Sequence, residues 1–261
     1  MNAFLVAGDS LCLNLSFSKK IDTTSIDYCD NAEVKLYCND EFVEIMERIG
    51  NGDYASSHII EGGRAYSCEI EIPGYSTVKA STYIPEKSAV RKVGHFYNVG
   101  IIEDGFGYHS VEITFLNDIN NLRYYELKVE LSNSDDYWND LELIYVNDPV
   151  ILNEGLPIPI FSNEIMIDSV QTIRLNYTLY DRISELHLRN MRIAVRSVSY
   201  DYYAFKRSTY LYVTKFYGDG VLTPMGNNNL YSNIKNGIGI FCGYSSTEPL
   251  VLEPNSESVY E

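Results

Sequence analysis

The stretch Ala32-Glu33-Val34-Lys35-Leu36-Tyr37-Cys38 places Ala32, Val34, Leu36 and Cys38 on one face of an extended chain, with Glu33 and Lys35 on the other. A period of two means a strand with one side buried, because successive strand side chains point to opposite faces. Leu11-Cys12-Leu13-Asn14-Leu15-Ser16-Phe17 shows the same alternation upstream. Downstream, Asn39-Asp40 turns the chain into residues 41–49, Gly50-Asn51-Gly52-Asp53 into 54–60, and Glu61-Gly62-Gly63 into 64–72. Gly tolerates positive φ, and Asn and Asp also bond their own backbone, so these are turn residues with a mechanism. Pro73-Gly74 punctuates the passage to residues 77–84. Short strands at roughly ten-residue spacing, each with one apolar face, predict a β-sandwich.

Ile84-Pro85-Glu86-Lys87-Ser88 reads as a domain boundary, since proline cannot donate to a ladder and polar residues follow it. Beyond it, residues 90–99, 108–115, 122–131, 169–179 and 190–199 read as strands; in the last, Met191, Ile193, Val195 and Ser197 interleave with Arg192, Ala194 and Arg196. Residues 148–161, with Pro149, Pro157 and Pro159, read as an extended connector. One segment changes period. Tyr202, Phe205, Thr209, Tyr212 and Phe216 recur at spacings of three and four, which predicts an amphipathic helix near residues 201–216 against the second sheet. Ser199 or Asp201 is placed to cap it and Gly218 to end it. A loop and final strand are expected over 231–246, then a frayed polar tail over 253–261. The expected fold is all-β: a transthyretin- or immunoglobulin-like sandwich over residues 1–85, then a larger β-sandwich-type domain over 86–261 carrying that helix.

The 261 residues carry 36 acidic and 20 basic side chains, a formal net charge of -16. Such a surface repels phosphate backbones and anionic bilayers, so no nucleic-acid partner is expected. No apolar run reaches the roughly 20 residues of a membrane-spanning helix. Met1-Asn2-Ala3 leads straight into the strand-like Phe4-Leu5-Val6-Ala7, and we expect an export leader upstream of Met1 to be missing from this chain. Cys12, Cys29, Cys38, Cys68 and Cys242 form an odd, scattered set. That argues for small buried hydrophobes over a disulfide framework, and leaves open a single bridge such as Cys29 to Cys38.

Motifs for a serine-hydrolase elbow, a zincin helix, a P-loop or a dinucleotide fold are missing from the sequence. His58, His95, His109 and His187 have no metal-ligand spacing and read as surface or lightly buried side chains. Glu69 and Glu71 share a strand face that reads as solvated rather than as a glycosidase pair. Asp135, Asp136, Asp140 and Glu142 could gather a calcium ion, yet their spacing fits no EF-hand and Trp138 interrupts them, so a solvated acidic loop is the plainer reading. No catalytic residue, metal or cofactor is expected. The 23 tyrosines, read mainly as sheet packing, also offer amphipathic rings for a sugar, peptide or protein face. Trp138, Tyr124 and Tyr202 are the candidate ligand or partner contacts.

The run Tyr231-Ser232-Asn233-Ile234-Lys235-Asn236-Gly237-Ile238-Gly239-Ile240-Phe241-Cys242-Gly243-Tyr244-Ser245 resembles the closing signature of a Bacteroidota lipoprotein family, domain of unknown function 4249. Phe4-Leu5-Val6-Ala7-Gly8 resembles its first strand, and Asn31 to Tyr37, Gly52-Asp53-Tyr54 and Gly63-Arg64-Ala65-Tyr66 its N-terminal sandwich. Residues 200–212 resemble its Tyr-rich helix. Read by itself, the signature alternates Gly237 and Gly239 with Ile238 and Ile240, a strand whose bare side admits another backbone or a ring. The resemblance implies an outer-membrane, cell-surface lipoprotein beside a TonB-dependent receptor, held to the membrane only through a lipid anchor that this chain lacks. The function expected is non-catalytic nutrient capture of a glycan or peptide. A polysaccharide-acting hydrolase using a carboxylate pair, or an adhesin or structural surface module, are the alternatives.

Overall fold

The computed structural model describes residues 1–19, 25–101, 105, 107–132, 137–141, 147–177, 190–217, 230–252 and 259–260. Asp135, Asp136, Glu142, His187, Gly218, the end of the 169–179 strand, the Phe216 side chain and most of the 253–261 tail lie outside the described residues.

The first ten strands are β1 (Asn2–Val6), β2 (Ser10–Asn14), β3 (Ser16–Phe17), β4 (Asp27–Tyr28), β5 (Glu33–Cys38), β6 (Glu41–Ile45), β7 (Glu47–Gly50), β8 (Asp53–Ile59), β9 (Arg64–Glu71) and β10 (Val78–Ile84). There follow β11 (Val90–Ile101), β12 (Gly107–Leu116), β13 (Tyr124–Ser132), β14 (Trp138–Asp140), helix α1 (Pro149–Glu154), β15 (Ile160–Ser162), β16 (Val170–Tyr177) and β17 (Met191–Val198). Helix α2 (Tyr200–Tyr217), β18 (Ile240–Ser246), β19 (Leu250–Leu252) and β20 (Val259–Tyr260) complete the order. The fold is all-β and sandwich-like.

The chain forms two units. One joins Met1–Glu86 to Val198–Ser245, the other Lys87–Ser197 to Ser246–Glu261. The helix expected with residues 86–261 therefore belongs to the first unit. Periodicity locates a helix along the chain, but only packing decides which sheet receives it.

In the first unit a sheet ordered β10-β9-β5-β6 faces one ordered β18-β1-β2-β8-β7. Val34, Leu36, Cys68 and Ile70 from the former meet Leu5, Leu11, Leu13, Tyr54 and Phe241 from the latter in one buried core. The stretch expected as one strand over 41–49 divides at Met46, which is 4% exposed. β6 pairs with β5 and β7 pairs with β8, so the chain changes sheet there. Glu44 closes that edge. Its carboxylate accepts bonds from the Ser56 hydroxyl, the Ser57 hydroxyl (2.7 Å), and the backbone N–H groups of Ser57 (2.8 Å) and His58 (3.2 Å). Burial pushes its carboxyl up, but these bonds outweigh burial and hold it below the usual carboxylate range.

β18 lies parallel to β1, from Asn2 opposite Ile240 to Val6 opposite Tyr244. The expected bare-faced strand over Gly237–Ile240 is corrected: β18 starts only at Ile240, and Ile238 is exposed whereas Ile240 is buried. The glycines serve close approach instead. A Cβ on Gly239 would strike the Met1 carbonyl, and one on Gly243 the Leu5 carbonyl. On the other side of this sheet, α2 sets Tyr202 and Phe205 against Phe4 at ring distances of 6.2 and 6.0 Å. Ser199 caps it, its hydroxyl accepting from the Tyr202 N–H at 3.1 Å.

In the second unit, β16-β12-β11-β20 packs on β14-β13-β17, with β15 beside β13 and β19 beside β17. Val111, Ile113, Phe115, Leu127, Val129, Leu175, Ile193 and Val195 fill the space between. The extended connector expected over 148–161 contains α1. Asp148 caps it by accepting from the Val150 N–H at 2.9 Å, Pro149 sits in its first turn, and Gly155 ends it at φ 71°. Asp148-Pro149 and Gly155 carried that signal; the prolines masked it.

Gly243→Val should lower the unfolding free energy by about 2–3 kcal/mol, because the new side chain has no room against Leu5. A urea titration with an unchanged midpoint would remove the close-approach role.

Candidate functional site

A cleft of about 550 Å³ opens in the first unit at one end of the sandwich. Its floor is apolar: Leu15, Cys29, Ile70 and Ile234, each less than 9% exposed. Leu15 breaks the strand expected over 11–17; its N–H donates to the Gly52 carbonyl at 2.7 Å and its carbonyl accepts from Cys29 at 3.1 Å. Beyond that break, β3 carries Phe17 to the rim. Opposite, Pro73-Gly74 forms a tight turn closed by Tyr75 N–H to the Ile72 carbonyl at 3.0 Å, which lifts Tyr75 to the rim at 63% exposed. The Phe17 and Tyr75 rings lie 5.3 Å apart.

The remaining wall is the segment before β18. Lys235 makes an antiparallel bridge with Lys79. Asn236 donates its amide to the Thr77 carbonyl at 2.9 Å, and Asn233 donates to the carbonyls of Phe241 (2.7 Å) and Ser81 (3.1 Å) while accepting from Phe241 N–H at 2.9 Å. These asparagines pin the segment to β10, so that Ile234, Asn236, Gly237 and Ile238 face the cleft. Among the described residues every lining side chain is uncharged, and the Met1 ammonium at the cleft donates to the Ile238 carbonyl at 2.9 Å. The Cys29 thiol is pushed up by burial and bonds Asn31 at 3.6 Å, so it stays a neutral thiol. All five cysteines are free, which closes the Cys29–Cys38 option.

The three residues expected to touch a ligand lie elsewhere. Tyr202 is 3% exposed, packed on Phe4 and Tyr244 within the helix-covered face, so its ring has no surface to offer. Trp138, on β14, has the Arg192 guanidinium over its ring at 4.6 Å. Tyr124 sits half-buried on β13 opposite Ser162. Glu69 and Glu71 are ion-paired on the outer side of β9, with Lys79 and with Lys35 (2.8 Å) respectively. Asp140 pairs with Lys128. Phe17, Tyr75 and Asn236 line the cleft but are not among the contacts the residues alone suggest. Tyr75 is signalled by its place immediately after a Pro-Gly turn, and Asn236 by its place in the run Tyr231 to Ser245.

A family model described as a domain of unknown function, DUF4249, matches residues 1–249. The chain belongs to the DUF4249 family. No curated protein and no solved structure matches it.

The second unit of this DUF4249 chain holds a buried aromatic cluster. His95 and His109, expected near the surface, are 4% and 7% exposed. They lie on the inward faces of β11 and β12, in alternation with Val93 and Val111. His95 Nε2 lies 2.7 Å from the Tyr177 hydroxyl, and Tyr97 packs on both imidazoles at 4.4 and 5.6 Å. Burial, and after it the neighbouring His109, lowers the His95 ring to about 4. Burial also pushes the Tyr177 phenol far up, so neither partner ionises near neutrality.

The unfolded His95 side chain takes up a proton near its ordinary value of about 6.5, whereas the folded one waits until about 4. Between those values the unfolded state binds more protons, so this residue's contribution to stability falls as pH drops from 6.5 toward 4. His95→Gln keeps a polar partner for Tyr177 and should flatten that part of the pH dependence in urea titrations. Equal slopes for variant and parent would show that the ring titrates freely.

Proposed function

We propose that this chain is a non-catalytic binding domain, exposed at the bacterial outer surface, which assists a TonB-dependent receptor in nutrient capture. The observation that carries the reading is the cleft. Its lining combines apolar floor, aromatic rim and neutral hydrogen-bonding groups, the usual make-up of a small-molecule site. One wall, from Ile234 to Ile238, lies within the run that resembles the family's closing signature. The resemblance to Bacteroidota lipoproteins supports the location. In this reading a lipid anchor outside the 261 residues tethers the domain, since a net charge of -16 disfavours direct contact with an anionic bilayer.

The test is affinity capture of the tagged protein from detergent-solubilised native membranes, read by mass spectrometry. A TonB-dependent receptor should be enriched over a mock capture. Recovery of the native protein from the cytosol, or repeated capture without a receptor, would end the proposal.

A further inference from the structure

We propose that the cleft of the first unit binds a single neutral amphiphile, an aliphatic body with a hydroxylated head of the alkyl-glycoside kind. This rests on the binding role given above and names its ligand class. The floor at Leu15, Ile70 and Ile234 offers a dry apolar surface for a chain or ring system. Burying that surface drives association by about 0.8 kcal/mol per methylene.

Charge decides the head group. Among the described residues no lining side chain is charged. The Met1 ammonium, which also lines the cleft, is already bonded to the Ile238 carbonyl at 2.9 Å, and burial lowers its proton affinity. A carboxylate entering the cleft therefore gives up water for a poor counter-ion, and an ammonium for none. The rim instead presents Ser16, Ser18, Ser76 and the Asn236 amide beside the Phe17–Tyr75 ring pair. Hydroxyls and an amide match the alternating donors and acceptors of a sugar, and ring faces match its apolar C–H side. A volume of about 550 Å³ falls within the range of small-molecule sites. The ligand's body sits on the floor and its head at this rim.

The experiment is calorimetric titration of n-octyl-β-D-glucoside, below its micelle concentration, into the 261-residue chain. Hexyl and decyl glucosides, octanoate and octyltrimethylammonium serve as comparisons. One saturable site is expected, tightening about tenfold for each two added methylenes until the cleft is full. The charged amphiphiles should bind about tenfold more weakly or worse. Tyr75→Ala and Ile238→Asp should each weaken octyl glucoside by about tenfold with thermal unfolding unchanged, since these rim side chains are 63% and 77% exposed. Equal affinity for charged and neutral heads, indifference to chain length or to both variants, or uptake without saturation would each overturn the proposal. So would a dimer, seen by sedimentation, that must dissociate before the glucoside binds, because a second copy would then be the occupant. Receptor capture that succeeds while glucoside binding fails rejects this ligand alone; the reverse result rejects the receptor role and leaves the cleft assignment standing.

Discussion

The parallel pairing of β1 with β18 is the constraint on which the first unit depends. Parallel neighbours cannot be joined by a hairpin; the chain must cross over before it returns. Here the return is delayed until Ile240, so the N-terminal sandwich lacks a strand until the C-terminal run arrives beside Asn2–Val6. Gly239 and Gly243 are the local requirement for that arrival, because the Met1 and Leu5 carbonyls occupy the space where their Cβ atoms would lie. Phe241 between them enters the core at 0% exposed, so the same short strand both closes the sheet and fills the sandwich.

The cleft is a by-product of how that return is fastened. Asn233 and Asn236 use side-chain amides to bond backbone carbonyls, a substitute for strand pairing that holds an irregular segment against β10. A regular strand there would have continued the sheet and covered the floor. The irregular segment leaves Leu15, Ile70 and Ile234 at the bottom of an opening rimmed by Phe17 and Tyr75. Binding geometry and sheet closure therefore share the Asn233 and Asn236 anchors, whereas the exposed Ile238 side chain serves the rim alone.

The second unit solves its burial problems by pairing. Arg192 and Arg196 on β17 reach Glu130 and Glu126 on β13 at 2.7 and 2.8 Å. Partly buried charges of this kind contribute little net stability, yet removing one partner leaves the other stranded. Deeper in, where pairing by charge is too costly, His95 stays neutral against Tyr177. The Trp138 ring, a candidate contact by composition, lies under the Arg192 side of this ladder.

Strand character was legible in the residues alone. Val34, Leu36, Cys68 and Ile70 alternate because one side of a pleated chain meets a core, and that relation is local. The helix over α2 was legible for the same reason, with Ser199 one of two caps the residues offer, as was the alternation of Met191, Ile193 and Val195 with Arg192 and Arg196 on β17. Helix α1 was equally local, written in Asp148-Pro149 and Gly155, but was read as a connector because Pro157 and Pro159 dominate the stretch. What tertiary structure alone decided is everything that depends on partners distant in sequence. Met46 as the crossing point between sheets, α2 on the first unit, buried His95 and His109, and a cleft joining Leu15, Tyr75 and Asn236 all follow from long-range pairing. Periodicity records which side of a residue is buried, not what it is buried against, and a site assembled from remote segments leaves no period to read.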